Sequence, residues 1–284
     1  MEVIKEIEKI RHLVEKKRAE GAKIGLVPTM GAIHEGHVSL IKLACEMTDY
    51  VVVSVFVNPT QFGPGEDFKK YPRNPEKDMR TIDSAGAHCI FSPEISEMYP
   101  GEYSTYITVE ELTKGLCGRS RPEHFRGVTT VVTKLFNIVD PHIAVFGQKD
   151  AQQLAVIRKM VDDLNMTVKI VTGSIVRAQD GLALSSRNMY LSGEERKQAT
   201  VLYRSLCMAS EMAASGVTEP EEILGKVREV ITGQDAAKID YIEIVDKDRM
   251  TPVTKISDSS LLAVAVWFGK TRLIDNIILN GKNG

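Results

Sequence analysis

The chain has 284 residues, enough for two domains or one large one with a sizeable core. Hydrophobic residues make up 43% and charged residues 26%, an ordinary globular balance that excludes disorder, collagen-like repeats and coiled coil. Lys plus Arg total 36 against 38 Asp plus Glu, a formal net charge of -2, so the chain has no global basic field with which to grip nucleic acid or an anionic membrane.

The N-terminal stretch mixes acids with bases and lacks the apolar core of a signal peptide, so a cytoplasmic location is expected. Its apolar positions Val3, Ile4, Ile7, Ile10, Leu13 and Val14 predict one amphipathic helix. Ile24 to Val27 reads as a strand, His37 to Glu46 as a helix and Tyr50 to Val57 as a strand buried on both faces. The alternation continues with a helix over 75–85, a strand at Cys89 to Phe91, a helix over 125–139, a strand at Ile143 to Phe146 and a helix over 151–164. This pattern predicts a Rossmann-like, doubly wound parallel sheet of α/β class. In such sheets ligands sit beyond the carboxyl ends of the strands, so segments 28–37, 58–73 and 147–153 are expected to converge. From about Gly173 the pattern changes to a hairpin through Asp180-Gly181, helices over 192–214 and 220–231, and strands over 239–245, 261–268 and 273–279. That predicts a smaller C-terminal α+β domain with an antiparallel sheet, covering the site. The expected division is 1–175 and 176–284.

No apolar run approaches the roughly 20 residues needed to cross a bilayer, so no membrane association is expected. Cys45, Cys89, Cys117 and Cys207 lie far apart without a C-x-x-C pair and read as reduced thiols.

The strongest chemical signal is Pro28-Thr29-Met30-Gly31-Ala32-Ile33-His34-Glu35-Gly36-His37, joining the first strand to the next helix. At such a turn backbone N–H groups and the positive helix end can hold phosphate. Gly31 and Gly36 let a nucleotide approach the backbone, and His34 and His37, three apart, can share one helical face. A metal pair lacks a third ligand nearby, and purely structural histidines are the other alternative.

This stretch resembles the HIGH-type motif of the nucleotidylyltransferase superfamily, and in its wording it is similar to the pantothenate synthetase family, the pantoate–β-alanine ligases. FVNPTQFGPGEDFKKYPR, RPEHFRGV, FGQKDAQQ and LSSRN follow in the family order, and the likeness runs from residue 1 to 284. It implies condensation of (R)-pantoate with β-alanine through a pantoyl-adenylate, releasing pyrophosphate and then AMP. Magnesium is expected to arrive with ATP, held by phosphates and water, with no protein metal site. Asp78 is an alternative magnesium ligand or an ordinary first-turn helix acid, and Lys77 occupies the neighbouring position that is acidic in the family. The family likeness also implies a homodimer.

On this reading residues 28–37, Gly147, Gln148, Lys149, Asp150, Val176, Leu184, Ser185, Ser186 and Arg187 bind ATP. His34, His37, Lys149 and Arg187 offset charge on the reacting phosphates. Lys149 can otherwise be a solvated surface lysine, Asp150 a helix N-cap or a ribose ligand, and Ser185 to Arg187 a turn cap beside a surface arginine. Gln61 and Gln153 are assigned to pantoate, because a neutral amide binds hydroxyls without neutralising the attacking carboxylate, and the resemblance implies that Gln61 also faces β-alanine; the alternative for either glutamine is an ordinary surface residue. Met30, Val57 and Phe62 suit apolar wall or core. Arg121, His124 and Arg126 lie in a segment that either orders over substrate or stays solvated. Rival readings are a nucleotidylyltransferase that leaves the nucleotide on its product, and a nucleotide-binding module without turnover. An aminoacyl-tRNA synthetase is disfavoured by the short chain and its charge balance.

Overall fold

In the computed structural model, which describes residues 1–279, the chain runs β1 (Glu2–Ile4), α1 (Ile7–Ala19), β2 (Ile24–Thr29), α2 (Glu35–Met47), β3 (Tyr50–Val55), α3 (Pro75–Ser84) and β4 (Cys89–Phe91). It continues through α4 (Ile95–Met98), α5 (Leu116–Ser120), α6 (His124–Val139), β5 (Ile143–Gly147), α7 (Ala151–Asp163) and β6 (Lys169–Gly173). The chain forms two compact units, of which the first comprises residues 1–110, 121–148 and 156–174.

The first unit holds a six-stranded sheet in the order β1-β4-β3-β2-β5-β6. Every neighbouring pair is parallel, with Ile24–Thr29 in register against Tyr50–Val55. Strand order reverses between β2 and β5, the place where an open α/β sheet leaves a crevice at its carboxyl edge. The strands alternate faces with period two. Val51 and Val53 pack with Val27, Ile90 and Val145 under Val38, Ile41 and Ala44 of α2 and Ile82 of α3. The opposite face is covered by α1 and α6, which pack on each other and on β2.

The second unit comprises residues 111–120, 149–155 and, among the described residues, 175–279. It contains α8 (Gly193–Gln198), α9 (Val201–Ser215), α10 (Pro220–Thr232) and the antiparallel sheet β7 (Ala237–Asp246), β8 (Ser260–Phe268) and β9 (Thr271–Leu279), with β8 central. Leu202, Leu206, Ile223, Val227 and Ile231 from the helices meet Ile242, Ile244, Leu262, Val264 and Val266 from the sheet. The α/β class with a C-terminal antiparallel sheet is therefore as the alternation of apolar runs predicts.

Several boundaries differ from the sequence expectation. Val3 and Ile4 belong not to an amphipathic helix but to β1, which pairs with β4 and occupies one edge of the sheet; Ile4 is buried there and Val3 exposed. A three-residue edge strand leaves too short an alternation to be distinguished from the helix that follows. β6 is an addition to the expected strands, because Lys169–Gly173 is a half-exposed edge strand without a continuous apolar run. The expected hairpin near Gly181 is a loop closed by a single antiparallel bridge, Arg177 to Ala183, and the expected helix over 192–214 is two helices, α8 and α9. Among the described residues no helix is long and apolar enough to cross a membrane.

Candidate active site

The turn after β2 is built around two successive left-handed residues, Gly31 (φ 83°) and Ala32 (φ 50°). Such a turn exposes consecutive backbone N–H groups on one side, a concavity that accepts negative charge. Here the charge comes from the chain itself. The Asp78 carboxylate, buried on α3, accepts the Ala32 N–H at 2.9 Å and the Ile33 N–H at 2.8 Å. A Cβ at Gly31 would stand 3.0 Å from Asp78 Oδ2 and 3.3 Å from Val55 Cγ1, so glycine is required there for space as well as for φ. Thr29 Oγ1 donates to the Ser54 carbonyl at 2.7 Å and accepts the Gly31 N–H at 3.3 Å, tying Pro28-Thr29 to β3.

Both histidines terminate α2. His34 is its N-cap, with Nδ1 accepting the Gly36 N–H at 3.1 Å, and His37 Nδ1 reaches back to the His34 N–H at 3.4 Å, a reciprocal capping box. Their rings lie 4.1 Å apart between centroids, tilted by 35°. An Nδ1 that accepts a hydrogen bond places the proton of the neutral imidazole on Nε2, which makes Nε2–H a donor at the positive end of the helix. Glu35 and Gly36 fill the first turn. The two histidines are thus structural and chemically equipped at once, where sequence reasoning set the two roles as alternatives.

Gln61 sits in a 3-10 turn over Pro59–Gln61 and is buried. Its Nε2 lies 2.9 Å from Met30 Sδ and its Oε1 accepts from Asn58 Nδ2 at 3.1 Å, so Met30 and Gln61 are brought together. Asn58 organises this corner: Nδ2 also donates to the Gly127 carbonyl, and Oδ1 accepts from Thr60 and, at 2.8 Å, from the Tyr99 hydroxyl. Burial pushes that tyrosine up to about 12. Phe62 stacks edge-on against Phe68 and Tyr71 in an aromatic cluster, whereas Val57 is only partly buried.

Of the three basic residues expected in a segment before α6, Arg121 and His124 are half-buried and anchored, whereas Arg126 is exposed, and His124 and Arg126 lie in the first turn of α6 itself. Arg121 grips Glu66 with two bonds, Nε to Oε1 at 2.7 Å and Nη2 to Oε2 at 2.5 Å, and Nη2 also donates to the Gln61 carbonyl at 3.2 Å. His124 Nδ1 lies 3.0 Å from the same carbonyl. Burial pushes the Glu66 carboxyl up, but the hydrogen bonds and charge of Arg121 outweigh it and hold the group below the usual carboxylate range. Arg126 covers the Tyr106 ring at 3.8 Å and pairs with Glu123.

In the first unit Gly147 ends β5 and Gln148 opens the 3-10 turn Gln148–Asp150. Lys149 and Asp150 belong to the second unit. The Lys149 side chain is 20% exposed, and its Nζ lies 3.7 Å from Asp150 Oδ1. Its carbonyl accepts from Asn276 Nδ2 at 2.9 Å. Val176 and Leu184 face each other across the 176–184 loop, with the Leu184 N–H donating to the Val176 carbonyl at 2.9 Å. Ser185 then caps the 3-10 turn Ser186–Tyr190 by accepting the Arg187 N–H at 3.3 Å, with Ser186 buried and Arg187 half-buried. Gln153 is half-buried and makes no side-chain hydrogen bond among the described residues, while its neighbour Gln152 is buried and holds the 111–120 segment by bonds to Leu112, Gly115 and Cys117.

Sequence reasoning missed Asn58, Tyr99, Glu66 and Gln152, and it left Asp78 between two other roles. Asn58 and Glu66 lie inside the block FVNPTQFGPGEDFKKYPR and Gln152 inside FGQKDAQQ, whereas Tyr99 lies in none of the quoted blocks.

Comparison with known proteins places this arrangement in a family. The family model described as pantoate-beta-alanine ligase matches residues 2–278. The chain is 53% identical over 279 residues to the pantothenate synthetase of Acetivibrio thermocellus, covering 98% of this chain and 99% of the relative. It is also 53% identical to that of Thermotoga petrophila, covering 98% and 100%. Among solved structures, pantothenate synthetase from Thermus thermophilus superposes with a TM-score of 0.94 at 42% identity over 99% of this chain and 100% of that one. The pantoate-beta-alanine ligase of Francisella tularensis, complexed with beta-gamma ATP and beta-alanine, matches with a TM-score of 0.82 at 33% identity over 98% and 97%. A whole-length family match and relatives above half identity together show that the chain is an enzyme of the pantoate–β-alanine ligase family.

Proposed function

We propose that the protein joins (R)-pantoate to β-alanine in two steps. A pantoate carboxylate oxygen attacks the α-phosphorus of ATP and displaces pyrophosphate, giving a pantoyl-adenylate. The β-alanine amine then attacks the acyl carbon, AMP departs with the bonding pair, and the amine proton is lost to give pantothenate.

The observation that carries this reading is the double histidine cap of α2, which sets two imidazole Nε2–H donors at a helix N-terminus. Such donors are suited to phosphate oxygens whose charge grows as pyrophosphate leaves. On the family likeness Lys149 and Arg187 supply the cations for the same phosphates, and residues 28–37, 147–150, Val176 and 184–187 bind ATP. Gln61, oriented by Asn58 and Met30, is assigned to pantoate and β-alanine. Gln153, with its amide uncommitted among the described residues, is assigned to pantoate.

Magnesium accompanies ATP in this proposal and neutralises part of the triphosphate charge. In this proposal the ion is held by phosphates and water, and the two Asp78 oxygens are engaged by the Ala32 and Ile33 amides. No step is assigned to the metal. A homodimer in the cytoplasm completes the proposal, with light scattering as the check on assembly.

Rapid-quench sampling with ATP and pantoate alone tests the two-step scheme. A burst of about one pyrophosphate per site is expected, because a water-excluding site protects the mixed anhydride. Pyrophosphate that appears only after β-alanine is added overturns it.

A further inference from the structure

β9 carries two adjacent polar residues in the interior of the second unit, Asp275 and Asn276, opposite Val264 and Ala263 of β8. Strand pairing asks for neither of them. An ionised carboxylate is costly to bury, and replacing a buried ion pair with apolar side chains is often neutral or stabilising. The Asp275 side chain is nevertheless 1% exposed, and it is satisfied by a bidentate pair with Arg177: Nη1 to Oδ2 at 2.6 Å and Nη2 to Oδ1 at 3.0 Å. Arg177 is itself fixed, with Nη1 donating to the Gly181 carbonyl at 3.1 Å and the guanidinium 4.2 Å from the centre of the Tyr203 ring.

The next residue faces a different segment. Asn276, whose N–H donates to Asp275 Oδ1 at 2.8 Å, extends Nδ2 to the Lys149 carbonyl at 2.9 Å. One dipeptide therefore pins two pieces of chain: the 176–184 loop that leads into Ser185 to Arg187, and the turn that carries Lys149. The 3-10 turn Ser186–Tyr190 also packs on β9.

We propose that Asn276, backed by the Asp275–Arg177 pair, is a positioning residue for the reaction: it fixes the backbone from which Lys149 reaches the triphosphate. This rests on the phosphate-directed role assigned to Lys149 above. A lysine has four rotatable bonds, so its ammonium is placed only if its backbone is placed. Small displacements of a catalytic group are costly, up to about a hundredfold in rate for about 1 Å.

The test compares Asn276→Ala and Asn276→Asp, the latter equal in size but without the amide donor, in the wild-type and Lys149→Ala backgrounds. Two single-turnover rates are read: formation of pantoyl-adenylate from ATP and pantoate, and attack of β-alanine on pre-formed pantoyl-adenylate. Adenylate formation should fall about ten- to a hundredfold. The β-alanine step should change by less than about threefold, and in the Lys149→Ala background the further loss in adenylate formation should also be less than about threefold, since coupled residues are not additive. Equal losses in the two half-reactions, or the same loss with and without Lys149, overturn the proposal. If Asn276→Ala does not fold, the comparison is made on Asn276→Asp, and wild-type rates in a folded Asn276→Asp overturn it equally. Failure of the wild type to form pantoyl-adenylate contradicts the proposed function instead, a result distinct from normal wild-type turnover with no selective effect at Asn276.

Discussion

The Asp78 carboxylate accepts the Ile33 backbone N–H at 2.8 Å across 45 residues of sequence, and its second oxygen accepts the Ala32 N–H at 2.9 Å. The Ala32 and Ile33 amides of the left-handed turn are thus already spent on a protein anion, and in the proposed function the phosphate-directed role at this turn is assigned to the histidines that follow. Asp78→Asn keeps the shape but turns one acceptor oxygen into an amide NH2 donor facing a backbone N–H. Leaving a buried group mispaired costs about 1–3 kcal/mol. A lowered thermal midpoint is expected, together with at least a tenfold loss in adenylate formation that excess magnesium does not restore. Recovery by magnesium alone would return Asp78 to the role of metal ligand.

His37→Asn separates the capping role from the chemical one. Asparagine can present an oxygen towards the His34 N–H but has no counterpart of the imidazole Nε2–H. Stability should stay within about 1 kcal/mol of wild type, a typical scale for cap changes. Adenylate formation should fall about a hundredfold or more, the usual cost of one donor to a developing charge. The β-alanine step should suffer less, because pyrophosphate has already left. Single turnovers that lose equally in both steps would contradict the phosphate assignment.

The Arg121–Glu66 clasp predicts an acid-sensitive contribution to stability. The folded Glu66 carboxyl lies below its usual range, so the unfolded chain binds its proton first as pH falls, and stability rises with pH through that window. The contribution is complete above the unfolded value of about 4.3 and is lost as pH drops through the folded value. Denaturant melts from pH 7 downward should show Glu66→Gln less stable than wild type at neutrality, with the gap closing in acid. A gap that persists unchanged at the acid end would place the effect in packing instead of charge.

The sheet was legible because β2, β3 and β5 are short apolar runs separated by helical spacing, and a strand buried on both faces has no other reading at that length. β1 was not, since Val3 and Ile4 join seamlessly to the apolar rhythm of α1 and only the open edge of β4 decides their state. The histidines were found by their linkage to glycines, yet their capping role was hidden, because caps are usually read from Ser, Thr, Asp or Asn. Gln152 and Gln153 show the limit most plainly. Adjacent helical residues point about 100° apart, and which one turns inward depends on the 112–117 backbone, far away in sequence. Asp78 was invisible as a loop anchor for the same reason.

The most direct test of the account supplies ATP, pantoate and β-alanine in all combinations and measures AMP and pyrophosphate over many turnovers. Sustained AMP release that requires both acids, with pantothenate formed in equal amount, is the predicted result. Sustained AMP release without β-alanine, a product that keeps the nucleotide, or ATP binding without turnover when all three are present would contradict it.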